Sequence, residues 1–237
     1  MNIAFIPVRG GSKSIPLKNI KIINGKPLVY WTAKAANDTT CIDKVIIATD
    51  SEEIKSVVKS FDLEKVEIYD RDPKNAQDTS STESVMLEYI SKSDLKNDDN
   101  FFLIQATSPL LKSEHIDGMF ESFKISNADS MFSGVVEKQF HWGMGENDCA
   151  NSSKQSITSH YLEPVNYDYR NRPRRQEFIG LVAENGACYI NKVGNILRDK
   201  CRISGKIKTY ELPSYTSYEI DEELDWIIVE ELMKKLG

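Results

Sequence analysis

Residues 2–20, N-I-A-F-I-P-V-R-G-G-S-K-S-I-P-L-K-N-I, decide how the chain begins to fold. The run Asn2–Val8 is short, apolar and continuous, and Gly10-Gly11 ends it. A continuous run of that length, bounded by a turn, predicts a strand buried on both faces. The loop beyond it carries Arg9, Lys13 and Lys18, with Lys21 just outside the stretch. No Asp or Glu occurs before Asp38, although the protein of 237 residues has a net charge of −6. Gly10 and Gly11 let backbone N–H groups approach a ligand without a Cβ in the way, so a cationic loop here suits an anion. Read alone, the same loop also fits a solvated basic surface.

Further along, Lys44–Asp50 (K-V-I-I-A-T-D) and Phe101–Pro109 (F-F-L-I-Q-A-T-S-P) repeat the pattern of an apolar strand with a polar carboxyl end. Helical patterns lie between the strands. Pro27 leads L-V-Y-W-T-A-K-A-A, Ser51 caps a segment with acids in its first turn, and S-T-E-S-V-M-L-E-Y-I follows the same plan. Strand–helix alternation with buried strands predicts a mostly parallel α/β sheet with helices on both faces, in a single domain over 1–237. From about Glu137 to Phe178 the texture changes to polar residues mixed with Phe140, Trp142, Tyr161, Tyr167, Tyr169 and Phe178. So many aromatics argue against pure disorder and for an insertion that packs against something, most simply a second subunit. Regular patterns return with Gly186–Asn191 and Lys206–Leu212 as strands, and D-E-E-L-D-W-I-I-V-E-E-L-M-K-K-L as an amphipathic terminal helix.

Composition excludes several classes. Hydrophobic content of 40% and charged content of 28% are those of an ordinary globular protein. A net negative charge disfavours a general nucleic-acid binder but not a small anion, which feels the local field. The first apolar run is too short for a membrane span or a secretory signal core, so no membrane association is expected. Cys41, Cys149, Cys188 and Cys201 form no C-x-x-C pair and read as reduced thiols of a cytoplasmic protein. His115, His141 and His160 show no metal-ligand spacing. The glycine loop lacks the G-x-x-x-x-G-K-[ST] of a P-loop and the G-x-G-x-x-G of a dinucleotide fold.

Ligands of open α/β sheets sit beyond the carboxyl ends of the strands. Three polar clusters lie there: Arg9–Lys13, Thr49–Ser51 and Gln105–Ser108. The wider pattern is more specific. R-G-G-S-K-x-I-P-x-K-N followed by N-G-K-P-L, A-T-D-S at 48–51, R-D-P-K-N-A-Q-D-T-S-S-T at 71–82, L-I-Q-A-T-S-P-L at 103–110, E-N-G-A-C-Y-I at 184–190 and Y-E-I-D-E-E-L-D-W at 218–226 stand in order along almost the whole chain. Together they resemble the CMP-sialic acid synthetase (acylneuraminate cytidylyltransferase) family.

That resemblance implies a nucleotide-diphosphosugar transferase-like fold with a dimerisation insertion over 137–178 that reaches the partner's active site. It implies a nucleotidyltransferase that moves CMP from CTP to the anomeric hydroxyl of an acidic nine-carbon sugar, with Mg²⁺ or Mn²⁺, releasing pyrophosphate in a cytoplasmic homodimer. Arg9, Gly11, Ser12, Lys13, Lys18 and Asn19 match its triphosphate loop, with Arg9, Lys18 and Asp221 as the catalytic set. Arg71 matches the base-reading position, beside Asp78, Thr79, Ser80 and Thr82. Gln105, Arg175 and Gln176 match the sugar side, while Asp221 and, with its longer arm, Glu219 match the metal carboxylates. Asp225 is the weaker candidate, since an acid at a helix start commonly serves the helix dipole. Ala106, Leu111 and the Ala183-Glu184 pair depart from the family pattern at the implied sugar side, which points to a legionaminic- or pseudaminic-type sugar at least as readily as to N-acetylneuraminate. The alternatives are a cytidylyltransferase for another acidic sugar, such as 3-deoxy-octulosonate, and a non-catalytic nucleotide binder.

Overall fold

The computed structural model describes residues 1–11, 14–75, 80–144 and 161–236. The chain divides into two compact units, Met1–Val135 with Glu184–Gly237, and Val136–Ala183.

The first unit is built on a seven-stranded sheet. Its strands are β1 (Asn2–Pro7), β4 (Lys44–Thr49), β5 (Val66–Asp70), β6 (Asn100–Ile104), β7 (Ser130–Glu137), β10 (Leu181–Lys192) and β11 (Ile207–Glu211), and two-residue strands β2 (Ile22–Ile23) and β3 (Lys26–Pro27) pair separately. The spatial order is β11-β7-β10-β6-β1-β4-β5. β1 pairs in parallel with both β4 and β6, β4 with β5 and β11 with β7, whereas β10 runs antiparallel to β6. The chain therefore builds outward from β1 first to one side and then to the other, which makes the carboxyl ends of β1 and β6 a topological switch point.

Alternating side chains divide the strands between two cores. Ala4 and Ile6, Val45 and Ile47, and Phe102 and Ile104 face α1 (Leu28–Asn37), α2 (Glu52–Val58) and α4 (Ser113–Ile125), through Val29, Ala33, Ile54, Val58, Ile116 and Met119. Ile3 and Phe5, Ile46 and Ala48, and Phe101 and Leu103 face α3 (Thr82–Lys92) and α5 (Val193–Asp199), through Val85, Met86, Ile90, Val193 and Ile196. Helices thus cover both faces, as the continuous strand runs predict. A third cluster docks α6 (Glu223–Leu236) through Trp226, Val229 and Met233 onto Ile15, Ile23, Leu28, Leu110 and Ile220. It brings the cationic loop and the chain's last acidic segment together.

The predicted caps form. Ser51 Oγ accepts from the Ile54 N–H at 3.3 Å and Ser81 Oγ from that of Ser84 at 3.1 Å. His115 is structural: its Nδ1 accepts from the Lys112 N–H at 3.2 Å at the start of α4, and burial lowers its pKa. Cys41, Cys188 and Cys201 carry free thiols, with Cys41 pushed up to about 12 by burial and by neighbouring Asp117.

Three elements depart from the sequence reading. β10 extends well beyond 186–191 and is antiparallel. β5 is an edge strand of alternating V-E-I-Y-D, too polar for a buried run. β7 contains Ser130 and Ser133, which break its apolar pattern yet are fully buried because their hydroxyls bond to the Ser204 carbonyl and to Asn185 Oδ1 at 2.8 and 2.6 Å.

In the second unit, β8 (Trp142–Met144) and β9 (Leu162–Pro164) form an antiparallel pair. Phe140 stacks between Tyr167 and Phe178, with centroids 4.2 and 5.0 Å away, and the Arg172 guanidinium lies 4.4 Å from its ring centre. Tyr161, Val165 and Ile179 are left exposed.

Candidate functional site

The cationic loop leaves β1 at Val8, whose N–H donates to the Ala48 carbonyl at 2.9 Å. Gly10 passes so close to the start of α2 that a Cβ there would stand 3.0 Å from Ser51 Cβ, whereas among the described residues nothing lies within 4 Å of one on Gly11. Among the described residues packing bears on Gly10 and not on Gly11. Asn19 Nδ2 donates to the Arg9 carbonyl at 3.1 Å and ties the loop's two ends together. Leu17 takes a left-handed backbone, φ 50°, at a cost of about 1 kcal/mol. The turn delivers Lys18 inward while Ile15 is buried in the third core cluster.

Lys18 is 9% exposed. Its Nζ donates to the Ile220 carbonyl at 2.7 Å and to Asp221 Oδ1 at 3.2 Å. Two of its three N–H bonds are thus committed to the segment before α6, and among the described residues the third has no partner. Ser14 Oγ adds a 2.6 Å bond to the Asp221 carbonyl, and the Ile220 N–H donates to the Thr107 carbonyl at 2.8 Å. These bonds seat residues 219–221 over the carboxyl end of β6.

The result is a cleft of about 440 Å³ at the switch point. Arg9, Lys18, Asn19, Arg71, Ser80, Thr82, Gln105 and Asp221 of the sequence-derived set line it. Ser14 and Ser81, which the sequence does not mark as site residues, line it too, as do Ala106 and Thr107 of the polar cluster after β6. Ser81 was legible as a helix cap, and Ser14 stands in the loop without a charge or glycine to mark it. Ser12, Lys13, Asp78 and Thr79 lie outside the described residues. Gly11 is exposed beside the cleft. Arg175 and Gln176 belong to the second unit and are exposed there. Arg175 shares a recess of about 440 Å³ with Lys138 and Arg172, a cationic setting.

Arg71 sits one residue past β5 and is 5% exposed. One terminal nitrogen donates to the Asn75 carbonyl, while its buried Nε has no partner among the described residues. Burial lowers its pKa, opposed by the charges of Asp50 and Glu88. Arg71 lines the cleft, and its Nε is a buried donor left without an acceptor among the described residues.

The acids are arranged differently from one another. Asp221 is exposed apart from its bond to Lys18. Glu219 is half-buried, 3.5 Å from Thr107 Oγ1, and its pKa is raised by burial and by the charge of Asp221. Gly186, at φ +69°, gives it room, since a Cβ would stand 3.3 Å from Glu219 Oε2. Asp225 Oδ2 accepts from the Asp221 and Glu222 N–H groups at 3.0 and 2.8 Å, which occupies it in holding the turn before α6. Among the described residues no group of three or more His, Cys, Asp or Glu comes together as a metal-holding cluster. Asn185 is structural: its amide donates to Thr216 and accepts from Ser133.

A cleft lined by Arg9, Lys18 and Arg71, with the Asp221 carboxylate bonded to Lys18, suits a polyanion carrying a hydrogen-bonding ring, which is what a nucleoside triphosphate presents. The fold is a mostly parallel α/β sheet with a polar cleft at its switch point. The cytidylyltransferase family model matches residues 3–163, and the chain belongs to that family, one of nucleotidyltransferase enzymes. It is 34% identical over 236 residues to N-acylneuraminate cytidylyltransferase A of Danio rerio, covering 99% of this chain and 51% of that protein. It is 29% identical over 231 residues to the N-acylneuraminate cytidylyltransferase of Streptococcus agalactiae serotype III, covering 96% of this chain and 52% of that protein. The chain spans about half the length of the curated relatives it matches. The solved structure of CMP:2-keto-3-deoxy-manno-octonic acid synthetase complexed with CTP is similar with a TM-score of 0.67, covering 100% of this chain and 99% of that one. At 17% identity that likeness is one of fold. Among the described residues no helix is long and apolar enough to cross a membrane.

Proposed function

We propose that the chain transfers CMP from CTP to the anomeric hydroxyl of a nine-carbon acidic sugar, releasing pyrophosphate. The observation that carries this reading is the cleft in which Lys18 joins the cationic loop to Asp221, in a chain of the cytidylyltransferase family. Similarity to proteins named N-acylneuraminate cytidylyltransferase supports sialic acid as acceptor; a legionaminic- or pseudaminic-type relative is the other acceptor proposed.

The anomeric oxygen attacks the α-phosphorus in line, its proton departs, and the bond to the β-phosphate oxygen breaks. Positioning and charge stabilisation suffice, with no covalent intermediate on the protein. Arg9, Gly11, Ser12 and Lys13 cradle the triphosphate, and the remaining N–H of Lys18 meets the reacting phosphate. Arg71, which lines the cleft, reads the cytosine, and Asp78, Thr79, Ser80 and Thr82 serve nucleotide binding. Asp221 and Glu219 would hold Mg²⁺ or Mn²⁺. Two adjacent hard carboxylates, the charge of one raising the pKa of the other, fit a divalent cation that takes its other ligands from phosphate and water. Bound there, it would neutralise charge building on the phosphates. Gln105, Arg175 and Gln176 serve the sugar, with the Arg175 guanidinium suited to a carboxylate. The second unit, with its exposed Tyr161, Val165 and Ile179, serves as the dimerisation insertion of a cytoplasmic homodimer.

Ala183, two residues before Asn185, and Leu111, 3% exposed in the core, stand where the family pattern has arginine. Neither can act as that arginine, which favours a differently acylated sugar at least as readily as N-acetylneuraminate. The test is pyrophosphate release with CTP and Mg²⁺ against N-acetylneuraminate, legionaminate, pseudaminate and 3-deoxy-octulosonate separately. Release with a nine-carbon acid is expected. Release with the octulosonate alone, or CTP binding with no release at all, would overturn the reading in favour of the other sugar or of a binding protein.

A further inference from the structure

Arg71 is held by a short chain of contacts that ends on a carboxylate outside the cleft. Its guanidinium donates to the carbonyl of Asn75, the last residue of a single helical turn, Pro73–Asn75. That turn is gripped at both ends by one side chain of α3. Glu88 Oε2 accepts from Asn75 Nδ2 at 2.6 Å, and Glu88 Oε1 accepts from the Asp72 N–H at 2.9 Å. Oε1 also takes the Tyr69 hydroxyl at 2.7 Å and Lys92 Nζ at 2.9 Å. The Glu88 side chain is 8% exposed, and four donors converge on it, which is the capacity of an ionised carboxylate. Three of the four come from residues 69–75, the segment that carries Arg71.

We infer that Glu88 is a positioning residue for nucleotide selection: through Asn75 it fixes where the Arg71 guanidinium stands in the cleft, and so how sharply the site separates cytosine from uracil. The inference rests on the reading of Arg71 as the base-reading residue. The physical step is simple. The two bases differ at one hydrogen-bonding edge, so discrimination needs a donor held within a few tenths of an ångström. An arginine has many rotamers, and Arg71 is pinned by one carbonyl. If that carbonyl wanders, the guanidinium can follow either base. Asp50 and Glu88, whose charges bear on Arg71, both favour its protonated form against burial, so removing Glu88 also weakens that support.

The test measures equilibrium binding of CTP and of UTP to the full chain by calorimetry, with thermal melting on each variant. The variants are Glu88→Ala, Asn75→Ala, their combination and Glu88→Gln, with Arg71→Ala as reference. In Glu88→Ala and Asn75→Ala the CTP/UTP preference should fall about tenfold, the effect of one misplaced charge-assisted hydrogen bond. The double variant should lose no more than Glu88→Ala, because Asn75 lies on the path that the loss of Glu88 already cuts. Glu88→Gln should recover most of the preference, since its amide can pair with a flipped Asn75 amide. Asn75→Ala leaves the other Glu88 contacts in place and guards against a variant that merely fails to fold. A native preference in Asn75→Ala, with the preference lost in Arg71→Ala, overturns the role of Glu88 alone. A native preference in Arg71→Ala overturns the base-reading assignment, and the inference with it.

Discussion

Glu88 also makes a prediction about stability that is independent of any ligand. Burial raises its pKa, but the bonds from Asn75, Tyr69, the Asp72 backbone and Lys92 outweigh that and hold it at about 2, against an ordinary 4.5. The folded chain therefore releases this proton more readily than the unfolded one. Stabilisation from the ionised group is complete above the ordinary value and is lost as pH falls from 4.5 through 2. The difference corresponds to about 3 kcal/mol. Urea unfolding at pH 6 and pH 3 should show the native protein losing about 2 kcal/mol more stability than Glu88→Gln, the rest being lost only as pH falls through the folded value of about 2. Equal losses would mean that the four bonds do not hold the carboxylate down. The residue was not legible in the sequence, where it is one acid among several on an amphipathic helix and only the three-dimensional return of residues 69–75 reveals its partners. Lys18 and Asp221 were legible through the pattern of their neighbours. Their direct bond across the fold was not, because nothing in either local stretch specifies the other.

At the scale of elements, the glycine loop separates what packing requires from what a ligand requires. A Cβ on Gly10 presses on Ser51, the residue whose hydroxyl caps α2. Gly10→Ala should disturb that cap at a cost of about 1 kcal/mol, which for a chain of this size lowers the melting temperature by about 2–4 °C. Gly11→Ala meets no atom within 4 Å among the described residues and should melt like the native protein. If the Gly11 backbone approaches the triphosphate, that variant should nonetheless bind CTP more weakly. Melting and CTP titration of both variants separate the two roles, and a Gly11→Ala protein that melts early would contradict the packing described here. Helix starts were readable because Ser51 and Ser81 announce themselves by position and by the acids after them. β7 was not, because its buried serines break the apolar run and become acceptable only once Asn185 and Ser204, far along the chain, supply their partners.

For the whole molecule, alternation of continuous apolar strands with helices was enough to predict a mostly parallel sheet covered on both sides. The strand order was not readable, since buried strands of similar composition are interchangeable until the connections close. Nor was the seating of residues 219–221, which depends on the Ile220–Thr107 backbone bond and on α6 docking beside Ile15. The second unit raises the remaining question, because Arg175 and Gln176, proposed to serve the sugar, belong to it and not to the unit that bears Lys18 and Asp221. If the second unit serves a neighbouring chain's cleft, two inactive variants should complement each other. Lys18→Ala removes a cleft cation together with the anchor of Asp221, and Arg175→Ala removes the proposed carboxylate partner, so each homodimer should be nearly inactive. In a two-fold dimer formed from both, one cleft carries both lesions and the other carries neither. Random mixing of equal amounts should then restore about a quarter of native turnover, half of the dimers being mixed and each having one intact cleft. Sedimentation should find the dimer at assay concentrations. A dimer with no recovered turnover would place Arg175 in the service of its own chain's cleft, and a monomer with full activity would remove the second unit from assembly altogether.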